Sequence, residues 1–182
     1  MFREKIIIAG FGGQGALRIG QMLAYAALKK DWEAEWLPSY GAEMRGGTAN
    51  CNVTISDGEI LFPMITEADT CIILNNASLD RFQNSLKKDG LLLLDSSIVT
   101  KKADREDCRI LMIPADQIAE EEGNTKGANM VMLGGYLAAS GKIEPELIYG
   151  IIEQQFTGSK AKYADSNKRL VKRGYDFVKE FR

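Results

Sequence analysis

The chain has 182 residues, 45% of them apolar and 26% charged, with a formal charge of −2. That length suits one domain with a substantial core, and the charge excludes a general nucleic-acid or anionic-membrane binder, since both depend on concentrated positive charge. Histidine is absent, which removes Ser-His-Asp and Cys-His nucleophile systems and His-ligated metals from consideration.

The sequence passes from Met1-Phe2-Arg3-Glu4 straight into Lys5-Ile6-Ile7-Ile8-Ala9, a β-branched run without alternation. Such a run predicts a strand covered on both faces, and no secretory leader. A glycine turn follows, Gly10-Phe11-Gly12-Gly13-Gln14-Gly15. From Ala16 to Lys30 the apolar positions Leu17, Leu23, Ala24, Ala27 and Leu28 repeat at helical spacing, leaving Arg18, Gln21 and Lys29 to solvent. Trp32 to Leu37 reads as a second strand stopped by Pro38. Residues 48–56 alternate and are β-branched, and Asp57-Gly58 is a turn signal before the short apolar Ile60-Leu61-Phe62. This predicts a hairpin inserted into the α/β rhythm.

Strand–helix alternation then resumes. Thr70 to Leu74 is a covered strand, and Ser78 to Lys87 a helix with Leu79, Phe82 and Leu86 on one side. Gly90 to Asp95 and Arg109 to Ile113 are two further strands. Beyond Pro114 the pattern is helical, over 115–121, 129–140, 144–156 and 161–180. In the last helix Leu170, Gly174, Phe177 and Phe181 form one stripe, which predicts docking by one face. The expected fold is α/β: a Rossmann-like, doubly wound, mostly parallel sheet with an inserted hairpin and a helical C-terminal part. We expect a single domain over 1–182, with the sheet in 1–114 and the mostly helical part in 115–182. No apolar run approaches the roughly 20 residues that span a bilayer, so no membrane partner is expected and a cytoplasmic location is the default. The three cysteines, Cys51, Cys71 and Cys108, are far apart with no C-x-x-C spacing. They are read as buried free thiols rather than ligands of zinc or an iron–sulfur cluster.

The glycine turn stands where a phosphate-binding turn belongs, between a buried strand and a helix. Gly12 and Gly13 leave the backbone open to close approach, Gly15 lets the helix pack on the strand, and the free N–H groups of the helix favour an anion. Gln14 either offers its amide to a ligand or caps the turn. The ligand stays open at this point: a dinucleotide, another phosphate or pyrophosphate compound, or none, with the glycines serving packing. A dinucleotide site asks for an acid at the end of the second strand. Glu33 and Glu35 fall early in that strand, which ends Trp36-Leu37-Pro38.

The second glycine segment is Ser39-Tyr40-Gly41-Ala42-Glu43-Met44-Arg45-Gly46-Gly47. It should lie at the carboxyl end of the second strand, beside the first turn, where open α/β sheets bind ligands. Arg45 next to two glycines has open space for bidentate contact with a carboxylate or phosphate. The plain alternative is a solvated loop with an incidental Glu43–Arg45 pair.

Three segments in order, Ile-Ala-Gly-Phe-Gly-Gly-Gln-Gly at 8–15, Tyr-Gly-Ala-Glu-Met-Arg-Gly-Gly at 40–47 and Asn-Met-Val-Met-Leu-Gly at 129–134, carry a resemblance over about residues 4–180. The chain resembles the gamma subunit or domain of the 2-oxoacid:ferredoxin oxidoreductases, most closely the 2-oxoglutarate and generic 2-oxoacid members. The resemblance implies a complex that converts a 2-oxoacid and coenzyme A to acyl-CoA and carbon dioxide while reducing ferredoxin. Its partners would be alpha and beta subunits carrying thiamine diphosphate with Mg, and a ferredoxin-like delta subunit. Iron–sulfur clusters would sit on other subunits, and this chain alone would bind no cofactor. It further implies that Gly12, Gly13, Gln14 and Gly15 form an anion-accepting turn near coenzyme A. Tyr40, Gly41, Glu43, Arg45, Gly46, Gly47 and Asn129 would line a subunit interface or shared site. No catalytic residue is carried over, because the chemistry belongs to the thiamine ylid. The competing expectation is a free-standing NAD(P)-binding protein or redox regulator that uses the first turn alone. In isolation the chain is expected to self-associate through surfaces meant for partners.

Overall fold

The computed structural model describes residues 2–40, 47–61 and 64–180. Its central strand is β1 (Arg3–Phe11), in which Ile6, Ile7, Ile8 and Ala9 are at most 3% exposed. Ile6 and Ile8 enter one hydrophobic core, and Ile7 and Ala9 enter a second. Alternate residues of one strand thus serve opposite faces of the sheet, which is why the run shows no polar alternation. The helix α1 (Ala16–Lys29) covers the first face with Ile19, Met22, Leu23, Ala26 and Ala27. Leu28, expected on that face, is instead 55% exposed.

The other strands are β2 (Glu33–Tyr40), β3 (Thr48–Ser56), β4 (Ala68–Ile73), β5 (Leu86–Asp95) and β6 (Arg109–Ile113). Their order in the sheet is β2-β3-β1-β4-β5-β6. β1, β4, β5 and β6 pair in parallel, whereas β3 is antiparallel to both β1 and β2. Five strands therefore share one direction and β3 opposes them, a mostly parallel sheet as expected.

Two local expectations need correction. The antiparallel insertion exists, but β3 pairs with β1 and β2 and not with Ile60-Leu61, which form no strand; Phe62 lies outside the described residues. Asp57 does not turn the chain back on β3. Its Oδ1 accepts from the Phe2 N–H at 2.6 Å, and Ser56 Oγ donates to the Phe2 carbonyl at 2.8 Å, which fastens the end of β3 to the start of β1. β2 also runs through Pro38 to Tyr40. Proline is tolerated because β2 is an edge strand, where one row of backbone groups faces away from the sheet.

The expected helix over 78–87 is shorter and earlier. α2 (Asn76–Phe82) is capped by the Asn75 side chain, which accepts from Ser78 N–H at 2.8 Å. A 3₁₀ turn follows, and Leu86 already belongs to β5. The Arg105 guanidinium enforces this switch by donating to the carbonyls of Gln83 and Leu86 at 2.6 and 2.9 Å.

The helical part comprises α3 (Ala115–Glu121), α4 (Ala128–Ser140), α5 (Pro145–Gln155) and α6 (Ala164–Glu180), with a 3₁₀ stretch at Gly158–Tyr163. Every residue of α4 from Asn129 to Ala139 is buried, as suits a helix that is apolar all round. α6 crosses it at two glycines. A Cβ on Gly174 would lie 2.7 Å from the Val131 carbonyl carbon, and one on Gly134 would lie 2.8 Å from that of Val171. The buried stripe of α6 is Asn167, Leu170, Val171, Gly174 and Val178. Phe177 is half-buried, and Phe181 lies outside the described residues. No helix among the described residues is long and apolar enough to cross a membrane.

Candidate functional site

β1 delivers the chain to the glycine turn at the carboxyl end of the sheet. Gly13 and Gly15 have φ of 99° and 81°, a region open to glycine at little cost and strained for other residues. Gly12 N–H donates to the Gly47 carbonyl at 2.9 Å, so the two glycine-rich segments meet through their backbones. The Gln14 side chain turns inward. Its Oε1 accepts from Phe11 N–H at 2.7 Å and from Asn75 Nδ2 at 2.9 Å, while its Nε2 donates to the Leu74 carbonyl at 2.9 Å. Gln14 thereby clamps the ends of β1 and β4 and the cap of α2. The first N–H groups of α1 have no side-chain cap.

The turn opens onto a recess of about 550 Å³ whose walls include Gly12, Gly13, Arg18, Trp36, Tyr40 and Gly47. Its size lies within the range of small-molecule sites. Tyr40 is 70% exposed at its rim. Asn129 approaches from α4: a Cβ on Gly15 would lie 2.7 Å from Asn129 Cγ. Of the residues singled out from the sequence, Gly12, Gly13, Gln14, Gly15, Tyr40, Gly47 and Asn129 therefore gather around one point. Gly41, Glu43, Arg45 and Gly46 lie outside the described residues.

Arg18 is not left to solvent as the helical spacing suggested. It is half-buried, with its guanidinium carbon 4.5 Å from the centre of the Phe156 ring and Nη2 donating to Gln155 Oε1 at 3.4 Å. Its Nε is buried without a partner. Gln21 is likewise half-buried and also lines the recess. The signal for Arg18 was its position three residues after Gly15, one helical turn from the glycine turn.

On the other side of Gly13 a smaller hollow of about 210 Å³ is bordered by Asp95, Asp116 and Lys126. Asp95 is 1% exposed, and its Oδ1 accepts from Ser97 N–H and Ala115 N–H, each at 3.1 Å. Burial first, and then the neighbouring Asp116 carboxyl, push the Asp95 carboxyl up to about 7. An ordinary aspartate titrates near 3.9 in the unfolded chain. Folded Asp95 thus holds its proton more tightly, and its contribution to stability declines as pH rises from about 4 through about 7. Asp95→Asn keeps the Oδ1 acceptor and removes the titration. Its stability relative to the wild type should therefore improve between pH 5 and pH 8 in urea unfolding. Parallel stability profiles for the two proteins over that range would contradict the assignment.

The three cysteines are free; Cys51 and Cys71 are buried on opposite faces of the sheet. Burial pushes both thiols up to about 12. An iron–sulfur cluster needs thiolates gathered at one place, so these positions do not fit one. Among the described residues no group of three or more Asp, Glu or Cys side chains is placed to hold a metal ion.

The topology also bears on a dinucleotide. In the dinucleotide-binding arrangement the strand carrying the ribose-binding acid lies beside the first strand. Here the antiparallel β3 occupies that place and β2 is displaced to the edge.

Residues 5–177 match the family model described as pyruvate ferredoxin/flavodoxin oxidoreductase. The chain is 35% identical, over 98% of its length, to ketoisovalerate oxidoreductase subunit VorA of Methanothermobacter marburgensis, of which it covers 37%. It is 34% identical, again over 98%, to 2-oxoglutarate synthase subunit KorC of Methanocaldococcus jannaschii, of which it covers 95%. The chain thus spans little more than a third of the ketoisovalerate relative and nearly the whole of the 2-oxoglutarate one. Among solved structures, the gamma subunit of a keto/oxoacid ferredoxin oxidoreductase from Geobacter sulfurreducens superposes with a TM-score of 0.83 at 26% identity. That match covers 97% of this chain and 99% of the other.

Proposed function

The chain belongs to the pyruvate ferredoxin/flavodoxin oxidoreductase family and is of its gamma type; on that premise we propose that it is a non-autonomous subunit of a 2-oxoacid:ferredoxin oxidoreductase. The complex would oxidatively decarboxylate a 2-oxoacid with coenzyme A to acyl-CoA and carbon dioxide, passing electrons to ferredoxin. Thiamine diphosphate and the iron–sulfur clusters would reside on partner chains, with alpha and beta subunits as the neighbours and a ferredoxin-like delta subunit beside them. We favour 2-oxoglutarate as the oxoacid, in keeping with the form of the Tyr40–Gly47 segment and with a relative of that kind among those this chain spans nearly end to end.

The observation that carries this reading is the open glycine turn. Its backbone faces a recess of about 550 Å³, while its one polar side chain, Gln14, is committed to three hydrogen bonds within the fold. Such a wall suits the phosphate-bearing part of coenzyme A and supplies no group for bond making. Glu43 and Arg45 are assigned, from the sequence alone, to the boundary with the thiamine-bearing chains. The displaced β2 disfavours the NAD(P) alternative.

Gly12→Val tests the turn. Among the described residues a Cβ there would meet only the Gly47 carbonyl, at an ordinary 3.8 Å, so the fold should tolerate it while the approach to the turn is obstructed. In the assembled complex the KM for coenzyme A should rise about tenfold or more, with the KM for the 2-oxoacid changed less than about twofold. Unchanged coenzyme A kinetics would reject the assignment.

A further inference from the structure

At the other end of the sheet from the glycine turn lies a cavity of about 350 Å³, between the amino ends of β1, β4, β5 and β6 and the carboxyl end of α4. Glu4 on its wall and Phe11 at the turn stand at the two ends of β1, roughly 23 Å apart. We propose that this cavity binds a small aliphatic α-amino acid, with the ammonium on Glu4 and the carboxylate on Arg109. The site is separate from the glycine turn and does not rest on the coenzyme A reading.

Glu4 receives the ammonium. It is 7% exposed, and its Oε1 and Oε2 accept from Thr70 Oγ1 at 2.9 Å and from Tyr136 OH at 3.0 Å. Both donors are neutral hydroxyls, and among the described residues no cation forms an ion pair with Glu4. Lys142 attracts it only from a distance, standing instead 4.1 Å from the centre of the Phe2 ring. Burial pushes the Glu4 carboxyl above its ordinary range, by more than the two hydroxyls draw it down. A buried carboxylate without a counter-ion is costly, and a cationic ligand group offsets that cost. The carboxyl end of α4, the negative end of its dipole, borders the same space and favours the same charge.

Arg109 receives the carboxylate. Thr70 pairs with Leu91 and Leu91 with Arg109, so the three form one row across β4, β5 and β6 on the face that α4 covers. Thr70, which holds the Glu4 carboxylate, is thus about 10 Å from Arg109 along the row. A small amino acid bridges that span when the flexible Arg109 stem leans over Leu91. Arg109 is exposed and makes no hydrogen bond or ion pair with another described residue, which leaves its planar fork open to a carboxylate. Other charges in the cavity are already engaged. Asp69 accepts from the Lys5 N–H and the Lys87 ammonium, each at 2.8 Å, and Arg3 donates to the Glu59 carbonyl at 2.7 Å.

The balance of the walls fixes the class of ligand. Glu4, Asp69 and Asp89 face Arg3, Arg109 and Lys142, so the cavity matches a molecule that carries both signs and no net charge. The remaining walls include Phe2, Leu91 and Ala139, which suit an aliphatic side chain. The volume lies within the small-ligand range.

Calorimetric titration of the full chain with L-valine, isobutylamine and 3-methylbutanoate tests the site, since the last two are valine without its carboxylate and without its ammonium. Valine should bind at least about tenfold more tightly than either, as the loss of one charge-assisted contact implies. Arg109→Gln should weaken valine about tenfold and leave isobutylamine unchanged. Glu4→Gln should weaken valine by a similar factor and leave 3-methylbutanoate unchanged. Arg109 is exposed, so Arg109→Gln reads the site even if Glu4→Gln fails to fold. No binding of valine at millimolar concentration would overturn the proposal. So would valine binding no tighter than that of the two fragments, or undiminished valine binding by the Arg109→Gln chain. None of these results depends on the kinetics of Gly12→Val, so the two readings fail separately.

Discussion

Gly174→Val is expected to lower the stability of the chain by about 3 kcal/mol or more, because the added side chain has nowhere to go. Its Cβ alone would lie 2.7 Å from the Val131 carbonyl carbon and 3.0 Å from Val131 Cα. These are backbone atoms of a fully buried helix, and they cannot turn aside as a flexible side chain can. The reciprocal contact at Gly134 against Val171 means that either helix must shift as a whole to make room. Such a shift would strip Leu170 and Val171 from the larger core, where both are fully buried. Urea unfolding should show a large fall in midpoint, and amide exchange should quicken along α6. Gly150→Ala is the matched control: Gly150 lies within α5, and a Cβ there meets nothing among the described residues within 4 Å. It should stabilise by about 0.5–1 kcal/mol through the lost flexibility of the unfolded chain. Equal, small effects at the two glycines would show that α6 does not dock as closely as described.

What the sequence revealed and what it hid divide along one line, local chemistry against long-range pairing. The triple isoleucine of β1 and the glycine turn are local statements, and both stand where the pattern put them. The partner of β3 is not local. Asp57-Gly58 carries the signature of a reversal, yet Asp57 bonds to Phe2, 55 residues away, and the antiparallel neighbours are β1 and β2. Leu86 shows the same effect. Its helical spacing from Leu79 and Phe82 was overridden by Arg105, whose hydrogen bonds to the Gln83 and Leu86 carbonyls draw the chain into β5.

The site divides in the same way. Gly12, Gly13, Gln14 and Gly15 were legible because a turn between a strand and a helix demands such residues. That Gln14 would be spent on Leu74 and Asn75 was not legible, since those partners come from β4 and α2, some 60 residues on. Arg18 was assigned to solvent because periodicity knows one helix at a time. It became half-buried only when Phe156 and its neighbours closed over it. Asn129 was singled out as part of an ordered motif; its contact with Gly15 supplies the physical reason.

The central claim is that this chain completes an active site it does not own. Its cysteines do not gather at one place, Cys51 lying on one face of the sheet and Cys71 and Cys108 on the other, and its glycine turn offers backbone donors rather than an acid, base or nucleophile. The most direct measurement compares the purified chain with the same chain co-expressed with thiamine diphosphate-binding alpha and beta subunits of its family. The assay is 2-oxoacid- and coenzyme A-dependent ferredoxin reduction. The account predicts no turnover by the chain alone and turnover by the assembled complex, lost again when this chain is omitted. Robust 2-oxoacid oxidation by the purified chain alone would contradict it.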